Sequence, residues 1–380
     1  MTNGTPIDFT KPLPPMASPT TTKILDGPAI GAPLPPVAYL VRELALVAGG
    51  GPPHLVAGYG YSGKTLAMQA LALALASGRS VWGAYTTGAP RRVLHVDFEQ
   101  GEYLTRQRYQ RLARAMGVEL ATLEDRLALI SLPRGVALKR EFEAWWFEHI
   151  SGRQLVIVDS LRAATGGMDE NSSTIRDPLD MLTELSERTE CRALVIHHAR
   201  KPSENAAAGD RYSIRGSGAI FDATDSVYVL SAADKHAPIK VAHERAKSDG
   251  RTIEDFALEI SDVPYAGDPR GALTLKVFGK ERLEEHAAVA ASRRAEVDAE
   301  SIRRELRKRP GLATMQLRER ARLSGSRWRD AIALLEASEE VECRNEPRGN
   351  TRPSECWYLR SNPDDGGLSG SNPTSAEAVR

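Results

Sequence analysis

Eight residues, Gly58-Tyr59-Gly60-Tyr61-Ser62-Gly63-Lys64-Thr65, carry the spacing G-x-x-x-x-G-K-[ST]. Glycines at these places let a backbone curl until its N–H groups point at a phosphate. Gly58, Gly60, Ser62 and Gly63 would form the cradle, Lys64 would reach the β and γ phosphates, and the Thr65 hydroxyl would coordinate Mg²⁺. ATP and Mg²⁺ are therefore the expected ligands.

Such a loop needs a carboxylate on a neighbouring strand to hold the metal, and Leu155-Val156-Ile157-Val158-Asp159 is an apolar run ending in one. Asp159 is the candidate; a strand-end aspartate that caps the next segment is the plainer alternative. Val96-Asp97-Phe98-Glu99-Gln100 holds two more carboxylates. Glu99 is the candidate base that polarises the attacking water, with Asp97 as its rival. In Val195-Ile196-His197-His198-Ala199-Arg200-Lys201, strand alternation sends the two rings to opposite faces, and His198 is the candidate phosphate sensor.

The elements that must position these groups follow from periodicity. Apolar runs His54 to Ala57, Val93 to Asp97, Leu127 to Leu132, Leu155 to Val158 and Ala193 to His197 alternate with helical patterns Lys64 to Ala76, Tyr103 to Met116, Glu141 to Ile150 and Ile175 to Thr189. That order predicts an α/β fold, a mostly parallel sheet wrapped by helices, with the glycine loop at the carboxyl ends of the strands. Four further strand-like runs (Ser226 to Leu230, Lys240 to Arg245, Phe256 to Ile260, Ala272 to Val277) predict an antiparallel extension, so one domain spans residues 37–280.

Nine of the 23 prolines fall in residues 1–36, which read as a flexible arm; residues 361–380 read as a disordered tail. Residues 281–296 are charged and alanine-rich with no clear apolar stripe, which suits a helical or flexible linker. Residues 297–360 follow the order helix, helix, turn, helix, hairpin, which predicts a small winged helix-turn-helix domain. From Ser301 to Arg360 there are 14 Lys plus Arg against 9 Asp plus Glu, a net of +5. Arg327 and Arg329 open its third helix and Arg348 lies on the wing, places suited to phosphate and groove contacts with duplex DNA, although such domains also bind proteins. Trp328 and Trp357 read as core or interface residues rather than base-stacking platforms.

The whole chain has 50 Lys plus Arg and 50 Asp plus Glu, so any nucleic-acid binding must come from this local asymmetry. Three scattered cysteines argue against a disulfide framework or metal cluster and for a reducing compartment. With no apolar stretch of spanning length and no signal-peptide layout, a cytoplasmic protein without membrane contact is expected.

Taken in order, Asp159-Ser160-Leu161-Arg162, Asp169-Glu170-Asn171-Ser172, His197 to Lys201, Arg215-Gly216-Ser217-Gly218 and Ala246-Lys247-Ser248-Asp249-Gly250 resemble the RepA-type hexameric replicative helicases of plasmids, AAA-type members of the RecA-like P-loop ATPases. The resemblance covers about residues 37–280. It implies a homo-oligomeric ring, a hexamer, with ATP between adjacent subunits and single-stranded DNA in the central channel. It assigns Glu99 as catalytic base, Asp159 as metal partner, His198 as sensor, Arg215 as a finger reaching the neighbour's nucleotide, and Lys247 as a second basic position. Related rings carry an arginine two residues after that lysine, where this chain has Asp249; either Arg245 or Arg251 substitutes, or the site uses fewer cations. The segment Lys201 to Ser213, with Lys201 and Arg211, falls where the family has a mobile DNA-contacting loop; a plain solvated loop is the alternative. Two other functions stay open: an ATP-switched DNA-binding regulator or recombination mediator that does not unwind, and a nucleotide-dependent scaffold in a mobile-element or defence complex.

Overall fold

The computed structural model describes residues 24–169, 172–199, 218–233, 237–347 and 353–360. The chain divides into two units, Met1–Leu283 and Glu284–Arg380. The first begins with a short exposed helix α1 (Gly27–Ile30) and a small antiparallel pair, β1 (Tyr39–Val41) with β2 (Leu46–Val47). Then come β3 (His54–Gly58), α2 (Lys64–Ser77), β4 (Val93–Asp97), α3 (Glu102–Met116), β5 (Leu127–Ser131), α4 (Glu143–Ile150), β6 (Leu155–Asp159), α5 (Leu161–Ala164), α6 (Arg176–Thr189) and β7 (Arg192–His198). A last helix, α7 (Gly218–Asp222), precedes four strands: β8 (Val227–Ser231), β9 (Ile239–Arg245), β10 (Phe256–Tyr265) and β11 (Asp268–Phe278).

These strands make one sheet in the order β11-β10-β9-β8-β3-β7-β6-β4-β5. From β8 to β5 every neighbouring pair is parallel, while β9, β10 and β11 pair antiparallel. β8 therefore differs from the expectation drawn from sequence, which made it the first antiparallel strand. The chain returns to it through a crossover containing α7, so it is a sixth parallel strand, and the hairpins begin only at β9.

Both faces of the parallel strands are covered, which is why they read as unbroken apolar runs rather than alternating ones. Leu155 and Ile157 of β6 pack into one core with Val56, Leu194 and α2; Val156 and Val158 pack into the other with Leu182, Leu185 and Trp146. Helix α2 is apolar all round, burying Ala67, Leu71, Leu73, Ala74 and Leu75, as a helix clamped into a core must be.

In the second unit, helix α8 (Lys280–Lys308) supplies Ala299, Ile302 and Leu306 to a separate core. It is joined by β12 (Leu312–Ala313), α9 (Thr314–Ala321), α10 (Gly325–Ala337), β13 (Val341–Glu346) and β14 (Ser354–Leu359), with sheet order β12-β14-β13. Trp328 and Trp357 meet edge to face at 5.9 Å inside this core, the first of the two places expected for them. Residues 281–296, read from sequence as a helical or flexible linker, are helical, and they run without a break into the helix expected from Val297 to form α8. Among the described residues no helix is long and apolar enough to cross a membrane.

Candidate functional site

The glycine loop joins β3 at the centre of the sheet to α2, where adjacent crossovers run to opposite sides. A Cβ on Gly58 would lie 2.5 Å from the Leu230 carbonyl oxygen and 2.6 Å from Ser62 Oγ, so the strand can leave here only as glycine. Gly63 caps α2 with φ +74°, and a Cβ on it would meet Ile239 Cδ1 at 2.5 Å. No side chain caps α2, so its first-turn N–H groups face an incoming phosphate. Gly60 is exposed, and a Cβ there would touch nothing in the chain itself.

Lys64 is buried and folded back on the loop, donating to the Tyr59 carbonyl oxygen at 2.9 Å and to Ser62 Oγ at 3.4 Å. Burial pushes its ammonium down to about 8 against the attraction of Asp159 and Glu99. Thr65 Oγ1 donates to Asp159 Oδ2. Burial raises the Asp159 carboxyl to about 6, with Glu99 and Asp97 adding to the rise and the Thr65 hydrogen bond and Lys64 opposing it.

This pair fits Mg²⁺. The donors are a hydroxyl and a carboxylate, hard oxygens that suit a hard cation, and the buried carboxylate is short of positive charge. Among the described residues no group of three His, Cys, Asp or Glu could hold a metal by themselves. That agrees with an ion held by few protein oxygens and otherwise by water and phosphate.

The two carboxylates at the end of β4 differ in employment. Asp97 is fully buried and accepts from the N–H groups of Glu99, Gln100 and Gly101 at 2.9, 2.8 and 3.0 Å and from Thr105 Oγ1 at 2.6 Å. Burial works to raise its pKa, but these bonds outweigh burial and hold the carboxyl below its usual range. Its lone pairs are thus engaged by the turn and by Thr105. The Glu99 side chain is about a third exposed, and its Oε2 lies 3.5 Å from His198 Nε2. His198 is there because β7 pairs with β3 so that His198 sits opposite Gly58. The neighbouring ring, His197, is buried on the other face. Glu99 and His198 line a cleft of about 550 Å³ together with Ser160, Arg162, Ala163, Gly166 and Gly167.

Three more residues belong here that periodicity did not single out. Arg162 lines the cleft. His95 Nε2 lies 3.9 Å from Asp159 Oδ2, and its Nδ1 is 3.1 Å from the Tyr109 hydroxyl. Burial drives the His95 pKa down to about 4, so the contact with Asp159 is between a neutral ring and a carboxylate. The pairing joins a strand residue to a helix residue and left no mark in either local pattern.

Lys247 is not part of this cluster. Register sets Val227 opposite both Leu55 and Arg245, so the stretch after Arg245 lies at the amino-terminal edge of the sheet, the far end from Lys64. Lys247 donates there to the Asp222 carbonyl oxygen. Arg245 stacks on Phe221 at 3.9 Å, and Arg251 pairs with Asp249 at 2.5 Å, so both possible substitutes are engaged within the chain. In the second unit, Arg327 is tied to the buried carboxylate of Asp298 and serves to join α8 to α10, whereas Arg329 is exposed. Lys201, Arg211, Arg215 and Arg348 lie outside the described residues.

Residues 18–204, just under half of the chain, match the family model described as an AAA domain. No curated protein matches the sequence. Among solved structures, the crystal structure of the RadB recombinase aligns with a TM-score of 0.43 and 18% identity, covering 58% of this chain and 92% of that one. The domain match and the site's own geometry support a P-loop core built to bind and hydrolyse a nucleotide.

Proposed function

We propose that this chain is a Mg²⁺-dependent ATPase of the RepA-like kind, ring-forming and DNA-binding, that hydrolyses ATP between adjacent copies and uses the energy for helicase or translocase work. The observation that carries the reading is the convergence of four strand ends on one point. Lys64 and Thr65 follow β3, Glu99 follows β4, Asp159 ends β6, and His198 ends β7.

In this reading the α2 N-terminus and Lys64 bind the β and γ phosphates, and Lys64 trades the Tyr59 carbonyl for phosphate oxygen. Thr65 and Asp159 would hold Mg²⁺, which neutralises charge on the phosphates. Glu99 takes a proton from the attacking water, and its closeness to His198 links the base to the end of β7, where nucleotide state passes to the segment that follows. Cations from a neighbouring copy, Arg215 and Lys247, complete the site; the far-edge position of Lys247 supports action in trans. The winged-helix reading of residues 297–360 is supported by the order α9, α10, β13, β14 and by exposed Arg329, and it gives the protein a second DNA contact.

Steady-state ATP hydrolysis with and without single-stranded DNA tests this, with Lys64→Ala subtracting contaminants. Stimulation by single strands, followed by strand displacement on a forked substrate, is the expected result. A genuine activity indifferent to single strands would instead favour the ATP-switched regulator, in which the second unit chooses the DNA.

A further inference from the structure

Besides Thr65, Asp159 faces the ring of His95. β4 and β6 pair in parallel with Asp97 opposite Asp159 and His95 opposite Ile157, so His95 lies diagonally across from Asp159 on the same face of the sheet. Both side chains are only 2% exposed. From above, α3 presents Thr105 and Tyr109, one turn apart: Thr105 bonds Asp97 directly, and Tyr109 bonds His95.

The Tyr109 hydroxyl fixes the state of this ring. It is buried, and His95 Nδ1 is its hydrogen-bond partner among the described residues. A buried hydroxyl must place its proton on an acceptor, so Tyr109 donates, Nδ1 accepts, and the ring proton sits on Nε2. Among the described residues that N–H has no hydrogen-bond partner, and 3.9 Å away is Asp159 Oδ2, the same oxygen that Thr65 now holds at 2.8 Å.

We propose that His95 is a positioning residue for Asp159: its Nε2–H takes over the carboxylate when the Thr65 hydroxyl turns from Asp159 to Mg²⁺, and Tyr109 keeps that proton on Nε2. The proposal rests on the reading of Thr65 and Asp159 as the Mg²⁺ pair. Without a second donor, a carboxylate that loses its threonine would be free to rotate at the moment it must orient metal-bound water. Partners of this kind, one step removed from a metal, typically contribute about 10- to 100-fold in metal affinity.

The test uses the full chain and a fluorescent ATP analogue, titrated with Mg²⁺ and again in EDTA. Three variants are compared: His95→Leu, which removes the donor; His95→Gln, whose amide N–H reaches a similar distance; and Tyr109→Phe, which removes only the oxygen that sets the tautomer. His95→Leu should raise the Mg²⁺ concentration needed for half-maximal binding about tenfold and leave binding in EDTA unchanged, with His95→Gln restoring most of the difference. In hydrolysis, the loss should appear in kcat at limiting Mg²⁺ and be relieved by excess. Tyr109→Phe should shift in the same direction as His95→Leu, and it decides the matter should the leucine variant unfold. Wild-type Mg²⁺ dependence in both His95→Leu and Tyr109→Phe overturns the proposal, as does equal weakening with Mg²⁺ and with EDTA, the mark of a packing defect. Wild-type protein that binds the analogue alike with and without Mg²⁺ overturns the metal reading first, and this proposal with it.

Discussion

Thr65 and Asp159, 94 residues apart in sequence, are joined by a 2.8 Å hydrogen bond that spans the end of the sheet from α2 to β6. The bond offsets only part of the cost of burying the carboxylate, and the sign of what remains can be measured.

Burial raises the Asp159 pKa from 3.8 to about 6, so the folded protein binds this proton more tightly than the unfolded chain does. Stability is then lost as pH rises from about 4 through about 6, and the full cost stands above that. In metal-free buffer Asp159→Asn should therefore be more stable than wild type at pH 7.5, by about 1 to 3 kcal/mol, with a smaller gain at pH 4.5. Urea denaturation in EDTA at both pH values measures it; a variant less stable at pH 7.5 would show that the carboxylate contributes net stability. The same variant should not hydrolyse ATP.

Lys64 gives a second pH signature. Burial holds its ammonium at about 8, and phosphate oxygens would return it toward its ordinary value. ATP binding at pH 9 should therefore take up close to one proton, and at pH 7 almost none. Calorimetry in buffers of different ionisation heat reads this directly; equal uptake at both pH values would remove Lys64 as its source.

Glu99 and Asp97 are separable by mutation because only one is fully hydrogen-bonded. Glu99→Gln should lower turnover about 10²- to 10⁴-fold while nucleotide affinity and melting temperature stay near wild type. Asp97→Asn loses the charge that accepts four donors around the turn and should cost about 2 to 4 kcal/mol of stability. Turnover under single-cycle conditions and a melting curve for each variant suffice, and a stable, inactive Asp97→Asn would reverse the assignment.

In the second unit the two arginines at the start of α10 should part company. Asp298→Ala leaves Arg327 without its buried partner and should destabilise the unit by about 1 to 2 kcal/mol. Arg329→Ala should leave the melting temperature unchanged, weaken duplex binding, and reduce the salt slope by about one if the side chain meets a phosphate. Affinity unchanged across salt concentrations would move DNA contact elsewhere.

Much of the site was legible before any coordinates, because a phosphate loop and a strand-end carboxylate each leave a local pattern. Lys64, Thr65, Glu99, Asp159 and His198 all occur where strands end, and parallel register brings strand ends together. What was not legible depended on contacts across elements. His95 reads as one polar interruption in an apolar strand, and Tyr109 as one aromatic on an amphipathic helix; only the packing of α3 on β4 joins them. Helix α8 shows a helical stripe only from Val297, because its first half buries nothing and its buried residues begin at Asp298, so the first half reads equally as helical or flexible. The crossover into β8 hid behind the short α7, whose five residues are too few for periodicity to register.

The contact behind Gly63 bears on how this protein can be altered. Ile239 and Ile260, from two strands of the antiparallel extension, fill the space beside the residue that starts α2. A surface appendage would tolerate trimming, whereas this extension backs the glycine loop. Shortening β9 or β10, or ending the chain ahead of them, would leave the loop unsupported. The smallest fragment that keeps nucleotide affinity must therefore run past Ile260, well beyond the residues that carry the recognisable motifs.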